Sequence, residues 1–347
     1  MRIALIAPPW FAVPPSGYGG IELVVALLAD GLADRGHEVT LFAGAGSKSR
    51  ATLVTSSDDL PDPALLGNPV LDTFHAAATY LDIADLDGNG RFDVVHDHSG
   101  IVGPALGALL GGRPPVVHTL HGPWTEPTRR LYGLLADHVH LVAISEAQRA
   151  ANPDIRYAGV VYNGIDLSSY PYVTEKDDFL VYIGRATPDK GPALAIEIAR
   201  RAGLPLAMVV KRNEPFEIAY WDNVVAPMLN DEVEVYEAIT HEQKVDLLGR
   251  ARAMVFPIQW PEPFGLVMVE AMACGTPVVT CPAGAAPELV EEGVTGFLRT
   301  SLDELGDVVG LIGQCSPAAC RARVEARFSS TAMVASYERL LLGVAGG

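Results

Sequence analysis

The sequence predicts an α/β protein made of two doubly wound parallel sheets. Short β-branched runs alternate with helix-length segments along all 347 residues. The runs are almost continuously apolar, which is typical of parallel strands covered on both faces. The alternation stops at 168–178 and then starts again. Each half therefore supplies enough strands for a sheet of its own, and the length suits two domains.

The first half contains strand candidates separated by helical patterns. In Gly20–Arg35, for example, apolar residues recur at helical spacing. The strand candidates are RIALIA (2–7), EVTLFA (38–43), FDVVH (92–96), PVVHTL (115–120), HLVAI (140–144) and GVVYN (159–163).

The second half repeats this organisation after the polar, proline-containing segment SSYPYVTEKDD (168–178), which we interpret as the linker. The domains are thus predicted to meet at 168/169. A last helix from Thr331 could join either domain on sequence alone. The strand candidates here are FLVYI (179–183), LAMVV (206–210), VEVY (233–236), AMVFP (253–257) and PVVTC (277–281).

Composition excludes several classes of partner. The net charge is −17 and no basic stripe is present, so nucleic acid is not expected as a partner. The opening MRIALIAPPW lacks the features of a signal peptide, no apolar run is long enough to cross a bilayer, and stable membrane anchoring is not expected. The four cysteines form no CxxC pair, which favours free thiols in the cytoplasm.

Loops that follow strands are the candidate sites, because ligands of doubly wound sheets bind beyond the carboxyl ends of the strands. After the first strand, Gly17, Gly19 and Gly20 precede a helix, so its N-terminal amides are open to an anion. The loop does not match GxGxxG, which disfavours a dinucleotide. A plain flexible loop is the alternative.

Histidines follow two further strands of the first half. In VVHDHSG, His96 and His98 can share one side of the strand while Asp97 cannot, and no third metal ligand is evident. We interpret them as polar groups lining a cleft. His121, in HTLHGPW, can serve as a hydrogen-bond donor or proton carrier, although a capping or core histidine explains the spacing equally well.

Two cations follow the first strand of the second half. Arg185 and Lys190, in IGRATPDKG, can converge with helix-terminal amides on a diphosphate. Solvated loop charges are the alternative. Further on, KRNE (211–214) and EAITHE (237–242) also follow strands and could form walls for a nucleoside base.

The segment WPEPFGLVMVEAMACGTPVV carries two glutamates eight residues apart. Glu262 lies in a loop and Glu270 lies inside the following helix, which the amides of Phe264, Gly265 and Leu266 open. A carboxylate within an apolar helix needs a partner, and ligand hydroxyls are suitable ones. Alternatively, Glu270 faces solvent.

Taken together, these motifs resemble those of retaining, nucleotide-sugar-dependent glycosyltransferases of family four. The resemblance runs through PPSGYGGIE, VVHDHS, HTLHG, VAISE, YNGID, IGRATPDKG, EPFGLVMVEAMACGTPVV and GAAPELVEEGVTGFL. It implies the GT-B fold, two doubly wound Rossmann-like domains facing across a cleft. The last helix would return to the first domain, giving 1–168 plus 331–347 on the acceptor side and 169–330 on the donor side. The segment 52–88 has no counterpart in the family pattern.

The resemblance also implies roles for individual residues. Arg185 and Lys190 would neutralise the donor diphosphate, and with His121 and Glu262 they would form the catalytic set. Glu270 would accept the ribose hydroxyls. The remaining donor contacts would be Gly19, Gly20, Ile239, Thr240, Glu262, Phe264, Gly265 and Leu266. The resemblance gives no role to His96 and His98, which stay candidates for the acceptor side or the cleft.

The implied reaction transfers a sugar from a nucleoside-diphosphate sugar, expected to be a UDP-sugar, to a soluble hydroxyl acceptor with retention of anomeric configuration. The acceptor would be a sugar, a sugar phosphate or a small natural product. Neither a metal nor another cofactor is expected, because Arg185, Lys190 and helix amides would stabilise the leaving diphosphate. A nucleotide-sugar epimerase on the same fold, a non-catalytic nucleotide-sugar binder and a Rossmann-type oxidoreductase are the alternatives.

Overall fold

The computed structural model describes residues 1–17, 19–55, 57–62, 65–87, 91–111 and 113–346, which divide into two compact units. Unit 1 combines residues 1–164 with the C-terminal stretch from Ser330, and unit 2 spans Ile165–Ser329. The chain enters unit 2 at Ile165, whose N–H donates to the carbonyl of Phe328. This point lies slightly before the boundary predicted at 168/169.

Unit 1 is built on a parallel sheet with the strand order β3-β2-β1-β4-β5-β6-β7. The central strands β4 and β5 are buried along their whole length and β1 from Ile3 onward, as their apolar runs predict. The strands are β1 (Arg2–Ile6), β2 (Glu38–Ala43), β3 (Thr52–Thr55), β4 (Val94–Asp97), β5 (Val116–Leu120), β6 (His140–Ala143) and β7 (Tyr157–Val160). The helices up to this point are α1 (Gly20–Asp34), α2 (Pro69–Asp87), α3 (Val102–Ala108), α4 (Glu126–Leu135) and α5 (Glu146–Ala150).

Unit 2 is built on a second parallel sheet with the order β10-β9-β8-β11-β12-β13. Its strands are β8 (Leu180–Arg185), β9 (Leu206–Lys211), β10 (Val233–Tyr236), β11 (Ala253–Phe256), β12 (Val278–Thr280) and β13 (Gly296–Leu298). Its helices are α6 (Pro192–Ala202), α7 (Pro215–Tyr220), α8 (His241–Arg250), α9 (Leu266–Ala273), α10 (Ala286–Leu289), α11 (Leu302–Val309) and α12 (Pro317–Arg327).

The strand order reverses between β1 and β4 in unit 1 and between β8 and β11 in unit 2. At such a switch point, the connections leave the sheet in opposite directions and open a crevice at the carboxyl ends. The glycine loop follows β1 and His98 follows β4, whereas Arg185 ends β8 and Glu262 follows β11. The glycine loop, His98, Arg185 and Glu262 therefore lie beside these two crevices, whereas His121 follows β5, Ile239 and Thr240 follow β10, and Glu270 lies within α9.

The segment interpreted as a linker (168–178) is part of unit 2 and packs against its helices. Tyr170 is 3% exposed. Lys176 Nζ donates to the carbonyls of Gly249 and Cys274, at the ends of α8 and α9, at 2.7 and 3.2 Å. The segment looks like a linker in the sequence because it has no periodicity, but Tyr170 and Lys176 anchor it to the rest of unit 2.

The C-terminal helix α13 (Ser330–Gly346) belongs to unit 1 and packs against α1. Glu338 pairs with Arg35 and His37, just beyond the end of α1, and Val334 covers Gly31 of α1. Among the described residues, no helix is long and apolar enough to cross a membrane.

Candidate functional site

The loop after β8 presents Arg185 and Lys190. The hydroxyl of Tyr182 lies 3.3 Å from the carbonyl oxygens of both residues, so the two ends of the loop lie close together. Gly191 follows with φ +73°, and a Cβ there would overlap the carbonyl oxygen of Pro257. Glycine is therefore required directly after the lysine for the loop to close against β11.

Arg185 is only loosely held. Its Nη1 lies 3.5 Å from Glu217 Oε1, and 35% of its side chain is exposed. Glu217 is buried, and its other oxygen accepts the backbone N–H groups of Asn213 and Glu214. The carboxylate thus anchors one edge of the guanidinium, and the remaining N–H groups are available to an anion.

Glu262 meets Lys190 in the loop after β11. Lys190 Nζ donates to Glu262 Oε2, and Trp260 Nε1 donates to the same oxygen at 3.0 Å. The ammonium also lies 4.5 Å from the centroid of the Trp260 ring. The Glu262 backbone is braced as well, because its carbonyl accepts the Ala285 N–H at 2.9 Å. Lysine, tryptophan and carboxylate therefore form one fixed group.

The start of α9 is open, as the sequence predicts. Gly265 precedes the helix with φ +97°, and no side chain caps the terminus. Leu266 is the first helical residue, so its N–H points out of the helix with the positive end of the dipole. Phe264 is 2% exposed and packs edge-on against Phe328 at 6.0 Å. Its ring therefore fixes the loop, and the backbone is the part that can meet a ligand.

Glu270 does not face solvent. It is 7% exposed. Its Oε1 accepts hydrogen bonds from the Tyr170 hydroxyl and from Lys244 Nζ, both at 2.8 Å. No side chain or backbone group in the described part of the chain donates to Oε2. The carboxylate is thus held on one oxygen and open on the other.

The two glutamates share this arrangement. Each has one oxygen occupied by a lysine and by an aromatic side chain that donates a hydrogen bond, Trp260 for Glu262 and Tyr170 for Glu270. An ionised carboxylate only accepts hydrogen bonds, so the second oxygen of each is suited to a ligand hydroxyl.

Ile239 and Thr240 lie in the loop between β10 and α8. Thr240 is the N-cap of α8, and its hydroxyl accepts the Gln243 N–H. Ala238, just before them, has φ +51°, a conformation that L residues rarely adopt. The Thr240 side chain is therefore used in capping, and Ala238 is exposed beside it.

In unit 1, Gly19 lies directly before α1 with φ +148°, and Gly20 is the first helical residue. A Cβ on Gly19 would come within 2.8 Å of Pro15 and 3.1 Å of the Glu22 carboxylate. Glu22 is 4% exposed, and burial raises its pKa to about 7. The amides of the glycine loop therefore stand beside a carboxyl group that is easily neutralised.

The histidines after β4 and β5 form a cluster. His96 and His98 share one side of β4, with ring centroids 4.2 Å apart, as the strand alternation predicts. His98 Nδ1 lies 2.9 Å from His121 Nε2. His96 is fully buried, and its Nε2 lies 2.9 Å from the Thr119 hydroxyl. Its ring is therefore fixed and packs against the ring of His98. Asp97 points to the other side and accepts from the Tyr80 hydroxyl.

Burial keeps this cluster neutral. It lowers the pKa of His96 and of His121 to about 3 each, and that of His98 well below its usual range. His121 is therefore an uncharged imidazole at neutral pH, able to donate one hydrogen bond but carrying no proton to release. Across the described residues, no group of three His, Cys, Asp or Glu side chains could hold a metal ion.

Sequence reasoning missed three residues of this arrangement: Tyr170, Lys244 and Trp260. Tyr170 lies in the segment interpreted as a linker, and Lys244 is an ordinary lysine on an amphipathic helix. Trp260 offered a signal, because it stands two residues before Glu262 in a loop that two prolines constrain.

Two family models cover most of the chain. The model described as "Glycosyltransferase Family 4" matches residues 18–169, and that described as "Glycosyl transferases group 1" matches residues 171–305. A D-inositol 3-phosphate glycosyltransferase of Mycolicibacterium smegmatis is 30% identical over an alignment that covers 93% of this chain and 87% of that protein.

Solved structures resemble the chain over its whole length. AviGT4, a glycosyltransferase involved in avilamycin A biosynthesis, is 27% identical with a TM-score of 0.72, over 100% of this chain and 98% of that one. Anabaena HepE, solved in complex with UDP and glucose, has a TM-score of 0.76 at 20% identity, over 98% and 99% of the two chains. The second likeness concerns the fold alone.

Proposed function

The chain belongs to glycosyltransferase family 4 and has the GT-B fold, and we propose that it transfers a sugar from a nucleoside-diphosphate sugar to a hydroxyl acceptor. Transfer retains the anomeric configuration and uses no metal ion. The donor is a UDP-sugar and the acceptor is a soluble sugar, sugar phosphate or small natural product. The reaction takes place in the cytoplasm.

The observation that carries this proposal is the pair of half-occupied carboxylates in unit 2. Glu262 and Glu270 each keep one oxygen for a ligand, and the open N-terminus of α9 lies between them in sequence. Hydroxyl groups suit the two carboxylates, whereas an anionic phosphate suits the helix amides. A nucleotide sugar carries these groups in matching order, with a ribose at one end, a diphosphate in the middle and a sugar at the other end.

The cations of unit 2 supply the electrostatic part of catalysis. As the bond to the anomeric carbon breaks, negative charge accumulates on the departing diphosphate, and preorganised cations lower the energy of that state. Arg185 keeps most of its donors available, and Lys190 is already fixed between Glu262 and Trp260. Both are in place before the charge develops, so a divalent ion has no separate task.

The glycine loop and the neutral histidines of unit 1 are proposed to contact the diphosphate and the transferred sugar. The amides at Gly19 and Gly20 contact the diphosphate. His121 donates a hydrogen bond to the transferred sugar, and His98 orients its ring from behind at 2.9 Å. Low pKa values suit this role, because a weakly basic imidazole stays uncharged and keeps one N–H group as a hydrogen-bond donor.

Support for the choice of donor and acceptor comes from relatives. HepE was solved with UDP and glucose. The mycobacterial relative is a D-inositol 3-phosphate glycosyltransferase, and AviGT4 takes part in the biosynthesis of a natural product. A UDP-sugar and a polyhydroxylated soluble acceptor are the classes consistent with them.

The test is a thermal-shift panel of UDP-, GDP-, ADP- and dTDP-sugars in EDTA, followed by turnover assays with polyol, sugar phosphate and glycoside acceptors. A ligand that binds the folded state raises the melting temperature by mass action. We expect a UDP-sugar to give the largest rise and to be consumed only slowly without an acceptor. If no nucleotide sugar shifts the melting temperature, or if turnover requires a divalent metal, the proposal is wrong in that respect.

A further inference from the structure

We propose that Lys244 and Tyr170 are positioning residues that give the binding site its preference for a ribose. They occupy Oε1 of Glu270 and so dedicate Oε2 to the nucleoside's vicinal hydroxyls. The inference rests on the proposed function, since it assigns the ligand group that Glu270 receives.

The two hydrogen bonds arrive at one oxygen. Lys244 Nζ and the Tyr170 hydroxyl both lie 2.8 Å from Glu270 Oε1. A free carboxylate can rotate about its last bond and offer either oxygen. A carboxylate with a cation and a hydroxyl on one oxygen has a fixed plane, so its other oxygen has a defined direction. The result is an acceptor prepared before the ligand arrives.

Tyr170 is itself held firmly by neighbouring groups. Arg321 Nη1 donates to the carbonyls of Tyr170 and of Ala273, the last residue of α9, at 2.7 and 2.9 Å. His241 packs edge-on against the Tyr170 ring at 5.3 Å, and its Nε2 lies 2.9 Å from the Ser169 carbonyl. These contacts tie the entry segment of unit 2 to α8, α9 and α12. Tyr170 is therefore a rigid donor.

The environment also favours a donor that stays protonated. Burial, together with the adjacent Glu270 carboxylate, raises the pKa of Tyr170 well above its usual range. The hydroxyl thus keeps its proton at any working pH. Lys244 approaches from α8 and lies 5.9 Å from the centroid of the Tyr170 ring. The ammonium group of Lys244 therefore lies near the ring of Tyr170, and both residues donate a hydrogen bond to the same carboxylate oxygen.

A purely structural role predicts a different outcome from a positioning role. If Lys244 only stabilised α8 against α9, its loss would lower the melting temperature and affect all ligands alike. If it contacted the phosphate directly, its loss would weaken ribo- and dideoxynucleotides by the same factor. Only a positioning role makes the loss specific to ligands that carry the 2′- and 3′-hydroxyls.

The experiment compares UDP, GDP and ADP with their 2′,3′-dideoxy forms by calorimetry, in the wild-type protein and in variants. We expect the wild type to bind the ribo form of one base about tenfold or more tightly than its dideoxy form, as hydrogen bonds to a charged group require. Lys244→Met should lose most of this preference while its affinity for the dideoxy form stays unchanged. Tyr170→Phe should lose part of it, and Lys244→Arg should retain it.

Arg250→Met is the matched control. Arg250 lies on the same helix and pairs with Asp177 and Asp246, away from Glu270. This variant should keep the full preference. If Lys244→Met keeps the preference, or weakens both forms equally, the positioning role is refuted while the proposed function stands. If the wild type binds ribo and dideoxy forms equally, the ribose role of Glu270 is refuted as well. If it binds none of the nucleotides, the proposed donor is wrong too.

Discussion

The buried carboxyl group of Glu22, beside the glycine loop, makes the stability of unit 1 depend on pH. The carboxyl group is 4% exposed in the first turn of α1. Burial raises its pKa from 4.5 to about 7, and a hydrogen bond from its own backbone offsets only part of the effect. The folded protein therefore holds a proton that the unfolded chain has already released at mildly acidic pH.

The direction of the effect follows from linkage. A group whose pKa is raised in the folded state contributes stability below its unfolded value, here 4.5, and this contribution is lost as pH rises through about 7. The difference between the two values corresponds to roughly 3 kcal/mol at most, at about 1.4 kcal/mol for each pH unit. The helix dipole favours the ionised carboxylate at this position and lowers its pKa, so the raised value already includes that effect.

We expect Glu22→Gln to be more stable than the wild type at pH 8, by about 1–3 kcal/mol in the free energy of unfolding. Near pH 4.5 the two proteins should be nearly equal. Urea unfolding of both, followed by fluorescence at several pH values between 4.5 and 8, measures the difference. A difference that is constant across this range would show that Glu22 has an ordinary pKa and that its burial has no electrostatic cost.

Three further predictions concern unit 2. Gly284→Ala should lower the melting temperature and raise the donor KM, because the residue has φ +56° and its Cβ would overlap the Glu262 backbone. Gly293→Ala is the control, since Gly293 has φ +71° but open space around it. This variant should lower the melting temperature through backbone strain and leave the donor KM unchanged. Glu270→Ala should weaken nucleoside-diphosphate binding by about 1.5–3 kcal/mol in calorimetry, the value of hydrogen bonds to a charged group; unchanged affinity would remove its role. Lys190→Ala should lower kcat more than it raises KM in steady-state kinetics, since the charge that it meets grows in the transition state, and a change in KM alone would contradict this.

The sheets could be predicted closely because their strands are continuous apolar runs, which the sequence displays directly. Two strands were missed. β3 (TLVT) is mostly exposed, and β13 (GFL) is largely buried but has only three residues, so neither shows a long apolar run. The residues of β3 pair with those of β2 in register, from Thr40–Thr52 to Ala43–Thr55. Its place is set by its partner, which a local pattern cannot reveal.

The site residues that could be predicted are those whose side chain is unusual for its local sequence. Glu270 is a carboxylate within an apolar helix, and Lys190 is a cation before a glycine in the loop after β8. Tyr170 and Lys244 gave no such signal. They matter because folding brings them to Glu270 from 100 and 26 residues away along the chain. Such contacts arise from tertiary structure and are absent from any local pattern.

The central claim is that this protein moves a sugar from a nucleotide donor with retention and without a metal. The most direct test is an NMR time course of an α-linked UDP-sugar with the protein in EDTA, first with water and then with polyol or glycoside acceptors. We predict that the first product carries the α anomeric proton, before mutarotation in the case of water, and that UDP is released at the same rate with and without EDTA. A first product with β configuration, or loss of all turnover in EDTA, would contradict the account.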